Sequence, residues 1–209
     1  MTSSPPVSAI YDVMKSRGID RCVLPSRIRG VAAHHRVFGC AFTIEGRENL
    51  EITCHESLLR WSELLSKIPA GSVAVCQPNI RAIALMGELS AHALAVKGVG
   101  GYVVDGGCRD GELVEHSGLA VFCTHLTPRD IVGRWTWHSL GQPITIGDVE
   151  VSSGDLIAGD RDGVIVVPGA IADDVVADAA NIAGTESDMR KAIINGMDAK
   201  EAYLLYGKF

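Results

Sequence analysis

The sequence lacks long apolar runs, an excess of basic residues and paired-cysteine motifs, and each absence excludes a class of protein. No apolar run approaches the roughly 20 residues of a membrane-spanning helix. The formal net charge is −6, whereas nucleic-acid-binding proteins normally carry a basic patch. The first twenty residues show no charged region followed by an apolar one, so we expect no signal peptide and a cytoplasmic protein. Neither a membrane nor a nucleic acid is an expected partner.

None of the six cysteines forms a Cys-x-x-Cys pair, so a zinc site or a redox motif is not expected. Several lie in apolar runs, where a cysteine behaves as a small hydrophobic residue. We expect all six to be reduced and structural; Cys108 differs from the others in that it lies in a glycine-rich loop.

The 209 residues are 47% hydrophobic and 21% charged, which is typical of a globular chain and fits one domain over residues 1–209. Apolar periodicity predicts helices over 8–17, with Ser8 as N-cap, and over 56–67, 89–97 and 112–117. Strands are predicted over 37–44, 73–76, 102–105 and 120–123, and a hairpin turn is centred on Asp162-Gly163. Residues 170–206 are expected to be mostly helical, with breaks near Gly184 and Gly196. This order predicts a layered α/β domain with a mixed sheet rather than a doubly wound one.

The stretch GELSAHALAVKGVGGYVVDGGCRD contains a candidate site. Its helix, residues 89–97, is about 13 Å long at 1.5 Å per residue. Its strand, residues 101–105, returns about 16 Å at 3.3 Å per residue. The two lengths nearly cancel, so Glu88 and the pair Arg109-Asp110 should converge at one sheet edge. Ligands of open α/β sheets bind at such an edge.

The chemistry of these residues suits a small acidic molecule and a metal. The first amides of a helix have no partner within the helix and attract anions, and an arginine fork binds carboxylate or enolate oxygens. The candidate substrate-binding residues are Gly87, Glu88, Leu89, Ser90 and Arg109. Asp110 is a hard oxygen ligand for Mg²⁺, which needs only one or two protein carboxylates. Glu88 could orient Arg109, hold a metal-bound water or move a proton.

Each of these residues also has a purely structural interpretation. Arg-Asp dipeptides recur at 129–130 and 161–162, so the dipeptide alone is typical of a solvated loop. Glu88 could be an ordinary acid of a helix first turn, and His92 either lines the pocket or packs in its helix.

Two further groups of side chains are expected at surfaces. His34 and His35 point to opposite faces of an extended segment and are interpreted as surface or interface histidines. Trp135, Trp137 and His138 lie close together. They could contact substrate or a neighbouring subunit, or form a packed strand or loop, and we favour an interface over catalysis.

These motifs together resemble the RraA-like family, which contains class II 4-hydroxy-4-methyl-2-oxoglutarate/4-carboxy-4-hydroxy-2-oxoadipate aldolases and regulators of ribonuclease activity A. The resemblance covers most of the chain and includes VSAIYDVM, FGCAFTI, PAGSVAVCQ and SSGDLIAGDRDGVIVVP. Its most specific element is an acid, then twenty residues, then Arg-Asp; here these are Glu88 and Arg109-Asp110. The family implies a fold like the swivelling phosphohistidine domain, in homotrimers or homohexamers with active sites at subunit interfaces.

The resemblance implies a retro-aldol cleavage of a 4-hydroxy-2-oxo acid that depends on Mg²⁺ or Mn²⁺ held by Asp110. Metal and Arg109 would polarise the 2-oxo group so that pyruvate leaves as its enolate, and oxaloacetate decarboxylation would be a second activity. The chain departs from the family at Glu88, where aspartate is common, and at Ser90, where leucine is frequent. Glu186 is a candidate for an acidic residue that a neighbouring subunit contributes.

The alternative implied by the family is a non-enzymatic regulator that binds a ribonuclease complex. Regulators commonly lack the acid after the arginine, so Asp110 favours an enzyme. Methyl transfer to a quinone, another activity attributed to the family, is not supported, because no glycine-rich cofactor loop follows a strand.

Overall fold

The computed structural model describes residues 4–207, which form six α-helices and twelve β-strands in mixed order. The helices are α1 Val7–Ser16, α2 Cys54–Lys67, α3 Glu88–Val96, α4 Gly111–Glu115, α5 Ala172–Ile194 and α6 Ala199–Tyr206. The strands are β1 Arg29–Gly30, β2 Val37–Glu48, β3 Val73–Gln77, β4 Gly101–Val104, β5 Gly107–Cys108, β6 Val121–Cys123, β7 His125–Leu126, β8 Trp135–Leu140, β9 Ile144–Ile146, β10 Val149–Val151, β11 Leu156–Asp160 and β12 Gly163–Val167. Within the described chain, no helix combines the length and apolarity of a membrane span.

The main sheet is mixed and nearly closes on itself. Its order is β1-β6-β4-β3-β2-β11-β12, and β8 pairs with the second half of β2. The central pairs β2–β3, β3–β4 and β4–β6 are parallel, whereas β11 and β12 are antiparallel additions. The two edges approach each other, because Val23 bridges Ile165 and Arg29 donates a hydrogen bond to the carbonyl of Asp162. The predicted α/β architecture with a mixed sheet is therefore confirmed.

Both faces of β3, β4 and β6 are buried, which explains their continuous apolar sequences. On β3, Ala74 and Cys76 pack with residues of α2 and α3, while Val73 and Val75 pack on the opposite face with β9 and β10. A third apolar cluster lies where α1 and α5 cover β11 and β12. All six cysteines are free thiols.

The first two helices begin at other residues than predicted, and the reason lies in their caps. The first helix begins at Val7 with Pro6 as N-cap, so the expected Ser8 cap is wrong and Ser8 lies inside the helix. The second begins at Cys54, two residues before its predicted start. There Thr53 and Glu56 form a capping box, in which each side chain accepts a hydrogen bond from the other residue's backbone amide.

The expected break at Gly184 is wrong, because α5 continues through that residue. A solvent-exposed glycine inside a helix costs only about 1 kcal/mol relative to alanine. Burial of Val175, Ala179 and Met189 on the same helix offsets this cost. The break near Gly196 is confirmed, since α5 ends at Ile194 and Gly196 has a φ of 94°.

The interface expected around the tryptophans is wrong for Trp135, which is buried in the core. Its indole packs directly over Gly46, where an added Cβ would lie 1.9 Å from Trp135 Cζ2. Trp137 is half-buried and His138 is exposed on the same strand. This strand, β8, pairs with the end of β2 beyond Ile44, which is why β2 is longer than predicted.

The surface location expected for both neighbouring histidines is wrong for His35. His34 is exposed, but His35 is buried, with Nδ1 3.2 Å from the carbonyl oxygen of Val121. Burial lowers the pKa of His35, because desolvation outweighs the hydrogen bond to that carbonyl.

A buried carboxylate at the end of β4 anchors two loops. Asp105 accepts hydrogen bonds from Arg27 at 2.7 and 2.8 Å and from Arg81 at 3.1 and 3.3 Å. Desolvation raises the pKa of this carboxyl, but the arginine hydrogen bonds and charges outweigh it and hold the pKa below its usual range. Ionised Asp105 is thus stabilised by the folded state.

We expect Asp105 to contribute to stability above pH ~4, the pKa of an unfolded aspartate, and to lose that contribution as pH falls through its lower folded-state pKa. Asp105→Asn should be less stable at pH 7 and should show a shallower loss of stability below pH ~4. Urea unfolding between pH 7 and pH 3 measures both. Identical slopes in the two proteins would contradict the prediction.

Candidate functional site

Two loops are joined edge to edge where the predicted site residues meet. Leu85 N donates to the carbonyl of Gly107 at 2.8 Å, and Arg109 N donates to the carbonyl of Met86 at 2.9 Å. These bonds place the residues just before α3 beside those after β4. The structure therefore brings Glu88 next to Arg109 and Asp110, at the edge where the strand and helix lengths placed them.

The two loops open onto a cavity of about 300 Å³. Its apolar wall includes Leu58, Trp61, Leu65, Met86 and Ile131. Its polar residues include Glu88, Ser90, Arg109, Asp110 and Asp130. The predicted site residues of the GELS and Arg-Asp motifs all line this cavity, and His92 is not among its lining residues. Glu186, the candidate from a neighbouring subunit, lies on α5.

Gly87 allows the close approach of the two loops. An added Cβ at this position would lie 3.0 Å from Arg109 Cγ and 3.1 Å from both Arg109 Nε and Asp110 Oδ2. The residue is in an extended conformation, with φ −155°, so the requirement for glycine comes from space rather than from backbone strain.

Arg109 is held between two carboxylates. Its Nε lies 3.2 Å from Asp110 Oδ2, and its Nη1 donates to Asp130 Oδ2 at 3.4 Å. Asp130 is itself oriented by the amide of Val132, which donates to Oδ1 at 3.1 Å. The guanidinium is thereby fixed at the cavity wall and half exposed to it.

Asp110 has a left-handed backbone conformation, with φ 55° and ψ 40°, at the N-cap of α4. Such a conformation is uncommon in a residue other than glycine and often marks a functional position. The side chain of Asp110 is 38% exposed, and Oδ2 lies 3.5 Å from the amide of Glu88, at the start of α3. The carboxylate therefore lies between the helix N-terminus and the arginine.

The first turn of α3 presents its two polar side chains differently. Glu88 Oε1 lies 3.8 Å from Nε2 of His92, one turn along the helix. Ser90 Oγ accepts a hydrogen bond from the indole nitrogen of Trp61 at 2.9 Å. Serine at position 90 is thus explained by the tryptophan of α2, and its hydroxyl ties the two helices together at the cavity.

Sequence reasoning missed Asp130, which lines the cavity and contacts Arg109. Its Arg-Asp dipeptide had suggested only a solvated loop. The loop is brought to the site by the bonds from Thr127 N to Cys108 O and from Ala84 N to Arg129 O, at 2.9 and 2.7 Å. No local sequence signal could have shown these long-range contacts. The cavity lining contains three carboxylates and one guanidinium group, so its formal net charge is −2.

The chain is similar to known proteins in sequence and in fold. The chain is 28% identical over 196 residues to Protein DlpA of Legionella pneumophila, covering 92% of this chain but only 31% of that protein's length. It is 25% identical over 185 residues, 87% of this chain and 83% of the other, to a protein of Halalkalibacterium halodurans provisionally named 4-hydroxy-4-methyl-2-oxoglutarate aldolase.

Among solved structures, RraAS2 of Streptomyces coelicolor, described as an unusual member of the RNase ES inhibitor RraA family, superposes with a TM-score of 0.74. The identity is 25%, over 88% of this chain and 90% of the other. The sequence model of the RraA-like family, Aldolase/RraA, matches residues 7–166. With well over half of its length matched, the chain belongs to the RraA-like family.

Proposed function

We propose that the protein is a class II aldolase that cleaves a 4-hydroxy-2-oxo acid to pyruvate and a second oxo compound, with oxaloacetate decarboxylation as a second activity. The observation that carries this proposal is the placement of Arg109 and Asp110 side by side at the N-terminus of α3. The similarity to the Halalkalibacterium halodurans protein supports it.

A divalent cation fits the donor set and the charge of the cavity. An acidic substrate would be repelled by a lining of net charge −2, and a divalent cation would neutralise it. Within residues 4–207, no group of three or more His, Cys, Asp or Glu side chains is arranged to hold a metal ion. We propose that Asp110 holds Mg²⁺ or Mn²⁺, with water and substrate oxygens as the other ligands. When bound, the metal would supply Lewis-acid polarisation of the 2-oxo group.

The protein groups then have distinct roles in the proposed reaction. Arg109 binds the pyruvyl carboxylate or the developing enolate oxygen through its donor fork. The amides of Leu89 and Ser90, at the N-terminus of α3, orient the substrate carboxylate. Glu88 is placed to move a proton, directly or through a water, at the edge of the cavity.

Pyruvate release tests the proposal. The purified protein should release pyruvate from oxaloacetate and from 4-hydroxy-4-methyl-2-oxoglutarate with Mg²⁺ present, and EDTA should abolish both activities. Release from oxaloacetate alone would support the proposed site and indicate that the natural substrate is a different hydroxy acid. No release from either, with no Mg²⁺ or Mn²⁺ binding by calorimetry, would contradict the proposal.

Gly87→Ala should reduce this activity without unfolding the protein. The new methyl group would push Arg109 and Asp110 aside by a few tenths of an ångström, since it would lie 3.0 to 3.1 Å from them. Such displacements of positioned groups cost on the order of tenfold or more in kcat/KM. The matched control is Gly184→Ala, which adds a methyl group in open space on α5. Equal activity of the two variants would argue against the proposed role of the Arg109–Asp110 pair.

The surroundings of the site favour the proposed homotrimer or homohexamer. Leu58 and Leu89 beside the cavity are 49% and 79% exposed, and Leu126, on the other side of the Arg109–Asp110 pair, is 59% exposed. Apolar side chains around a site are typical of protein contact surfaces. Light scattering of the purified protein should therefore show a trimer or hexamer, and a monomer would contradict this part of the proposal.

The second candidate function is a regulator that binds a ribonuclease complex. Similarity to the Streptomyces coelicolor RNase ES inhibitor family supports it. The same fold serves both roles, so the fold does not discriminate between them. Metal-dependent pyruvate release discriminates between the two functions, since a regulator of this kind needs no such activity.

A further inference from the structure

A second cavity, of about 640 Å³, lies apart from the candidate site and has no lining residue in common with it. It is enclosed by the loop that follows β3, the end of β4 and the turn between β9 and β10. Arg81 and Asp105 line it, together with the polar residues Gln77, Asn79 and Thr145. None of these side chains has a role in the proposed reaction.

The charged group centred on Asp105 has a positive surplus: Arg81 and Asp105 line the cavity, and Arg27 adjoins it through its pairing with Asp105. Arg27 and Arg81 approach Asp105 from two different loops, so two guanidinium groups share one carboxylate. Asp105 is 10% exposed, whereas the side chains of Arg27 and Arg81 are 36% and 62% exposed. The shielded charge is therefore the negative one, and the accessible charges are positive, in a chain whose net charge is −6.

Asp105 also orients the two arginines. It accepts hydrogen bonds from the Nε and Nη2 atoms of each, which fixes both guanidinium planes. Within residues 4–207, no hydrogen bond engages Nη1 of either arginine. Each arginine thus keeps donors for a ligand, and little side-chain entropy remains to be lost when a ligand binds.

The polar rim of the cavity is held in place as well. Asn79 has a left-handed backbone conformation, with φ 56°, and its amide donates to the carbonyl of Gly46 at 2.9 Å. Gln77 donates to Asn79 Oδ1 at 3.1 Å and accepts from the amide of Thr145 at 2.9 Å. Asparagine tolerates this conformation, and the hydrogen bonds hold the polar rim in one arrangement, so little of it has to be reordered when a ligand binds.

We propose that this second cavity binds a small organic anion through a carboxylate or phosphate group. Arg81, which lines the cavity, is its principal ligand, and Arg27, paired with the same Asp105, adds positive charge beside it. Guanidinium groups with a planar fork of donors are suited to both oxyanions. The site is separate from the Arg109 cavity, and its occupation does not depend on the function proposed above.

Thermal unfolding at constant ionic strength tests the proposal, with chloride replaced in turn by acetate, malonate or inorganic phosphate. A ligand at ten times its Kd should raise the unfolding midpoint by about 3 °C or more. The comparison of acetate and malonate with phosphate distinguishes the two kinds of anion. Calorimetric titration of the most stabilising anion then gives its Kd.

Three variants locate the site. Arg81→Gln should raise the Kd of the anion at least about tenfold, because it removes a charge-assisted hydrogen bond. The substitution leaves the Arg27–Asp105 pair in place. Arg81→Lys should recover part of the affinity. The matched control is Arg17→Gln, which removes another surface arginine, paired with Asp178, and should leave the Kd unchanged.

Arg109→Gln separates this site from the candidate active site and should also leave the Kd unchanged. Loss of binding in Arg109→Gln but not in Arg81→Gln would place the anion in the other cavity and overturn the proposal. The proposal would also be overturned if none of the three anions stabilised the protein in a saturable way. Equal loss of affinity in Arg81→Gln and Arg17→Gln would overturn it as well, because it would show general charge screening.

Discussion

Replacing Asp110 by asparagine is expected to lower kcat/KM for pyruvate release at least about 10²-fold and to abolish its dependence on Mg²⁺. The amide has nearly the shape of the carboxylate but lacks its charge, so it is a much weaker ligand for a hard divalent cation. Asparagine also tolerates the left-handed conformation at this position, where φ is 55°. The loss should therefore occur in a folded protein.

Pyruvate release over a Mg²⁺ series, calorimetric metal titration and thermal unfolding together measure this effect. Asp130→Asn is the matched control, because it removes the same charge from the other side of Arg109. It should retain metal affinity near that of the unmodified protein. Unchanged Mg²⁺ affinity in Asp110→Asn would remove Asp110 from the proposed metal site.

The largest expected effect on stability is that of Trp135→Ala, about 3–5 kcal/mol, or roughly 10 °C in the unfolding midpoint. Trp135 is 1% exposed and packs edge to face on Trp61, with ring centroids 5.9 Å apart. Its indole nitrogen donates to the carbonyl of Pro78 at 3.0 Å. Truncation would open a cavity over Gly46 and leave that carbonyl without its partner.

Urea unfolding measures the difference, with Trp137→Ala as the control on the same strand. Trp137 is half-buried, lies against Arg60 at 4.2 Å from the guanidinium carbon and donates to the carbonyl of Arg60. Trp137→Ala should lower the free energy of unfolding by less than Trp135→Ala does, because it removes less apolar surface from the interior. Equal destabilisation by the two substitutions would contradict the assignment of Trp135 to the core.

The elements that local periodicity encodes could be predicted closely. The four predicted strands all exist, and in β3, β4 and β6 the burial pattern agrees with the run of apolar residues. The failures occurred where packing outweighs local preference. Gly184 is accommodated in α5 because neighbouring apolar residues are buried, and β8 was missed because its pairing depends on Gly46, about 90 residues earlier in the chain.

Part of the candidate site could likewise be predicted, because a helix followed by a strand of similar length returns the chain to its starting edge. That argument placed Glu88 near Arg109 and Asp110. It could not supply Asp130, because the loop that carries this residue reaches the site through long-range backbone bonds to Ala84 and Cys108. Similarly, the convergence of Arg27 and Arg81 on Asp105 joins residues 24 and 78 positions apart.

The amino-acid sequence by itself determined the kinds of elements, the α/β class and the presence of an adjacent cation and anion after a buried strand. These follow from interactions between near neighbours, whose spacing the chain encodes directly. Only the tertiary structure decided which carboxylates face Arg109, which tryptophan is buried and where Arg27 and Arg81 meet on Asp105 beside a second cavity. Those outcomes depend on the order of strands in the sheet, since distant loops meet only after non-local pairing has brought their strands together.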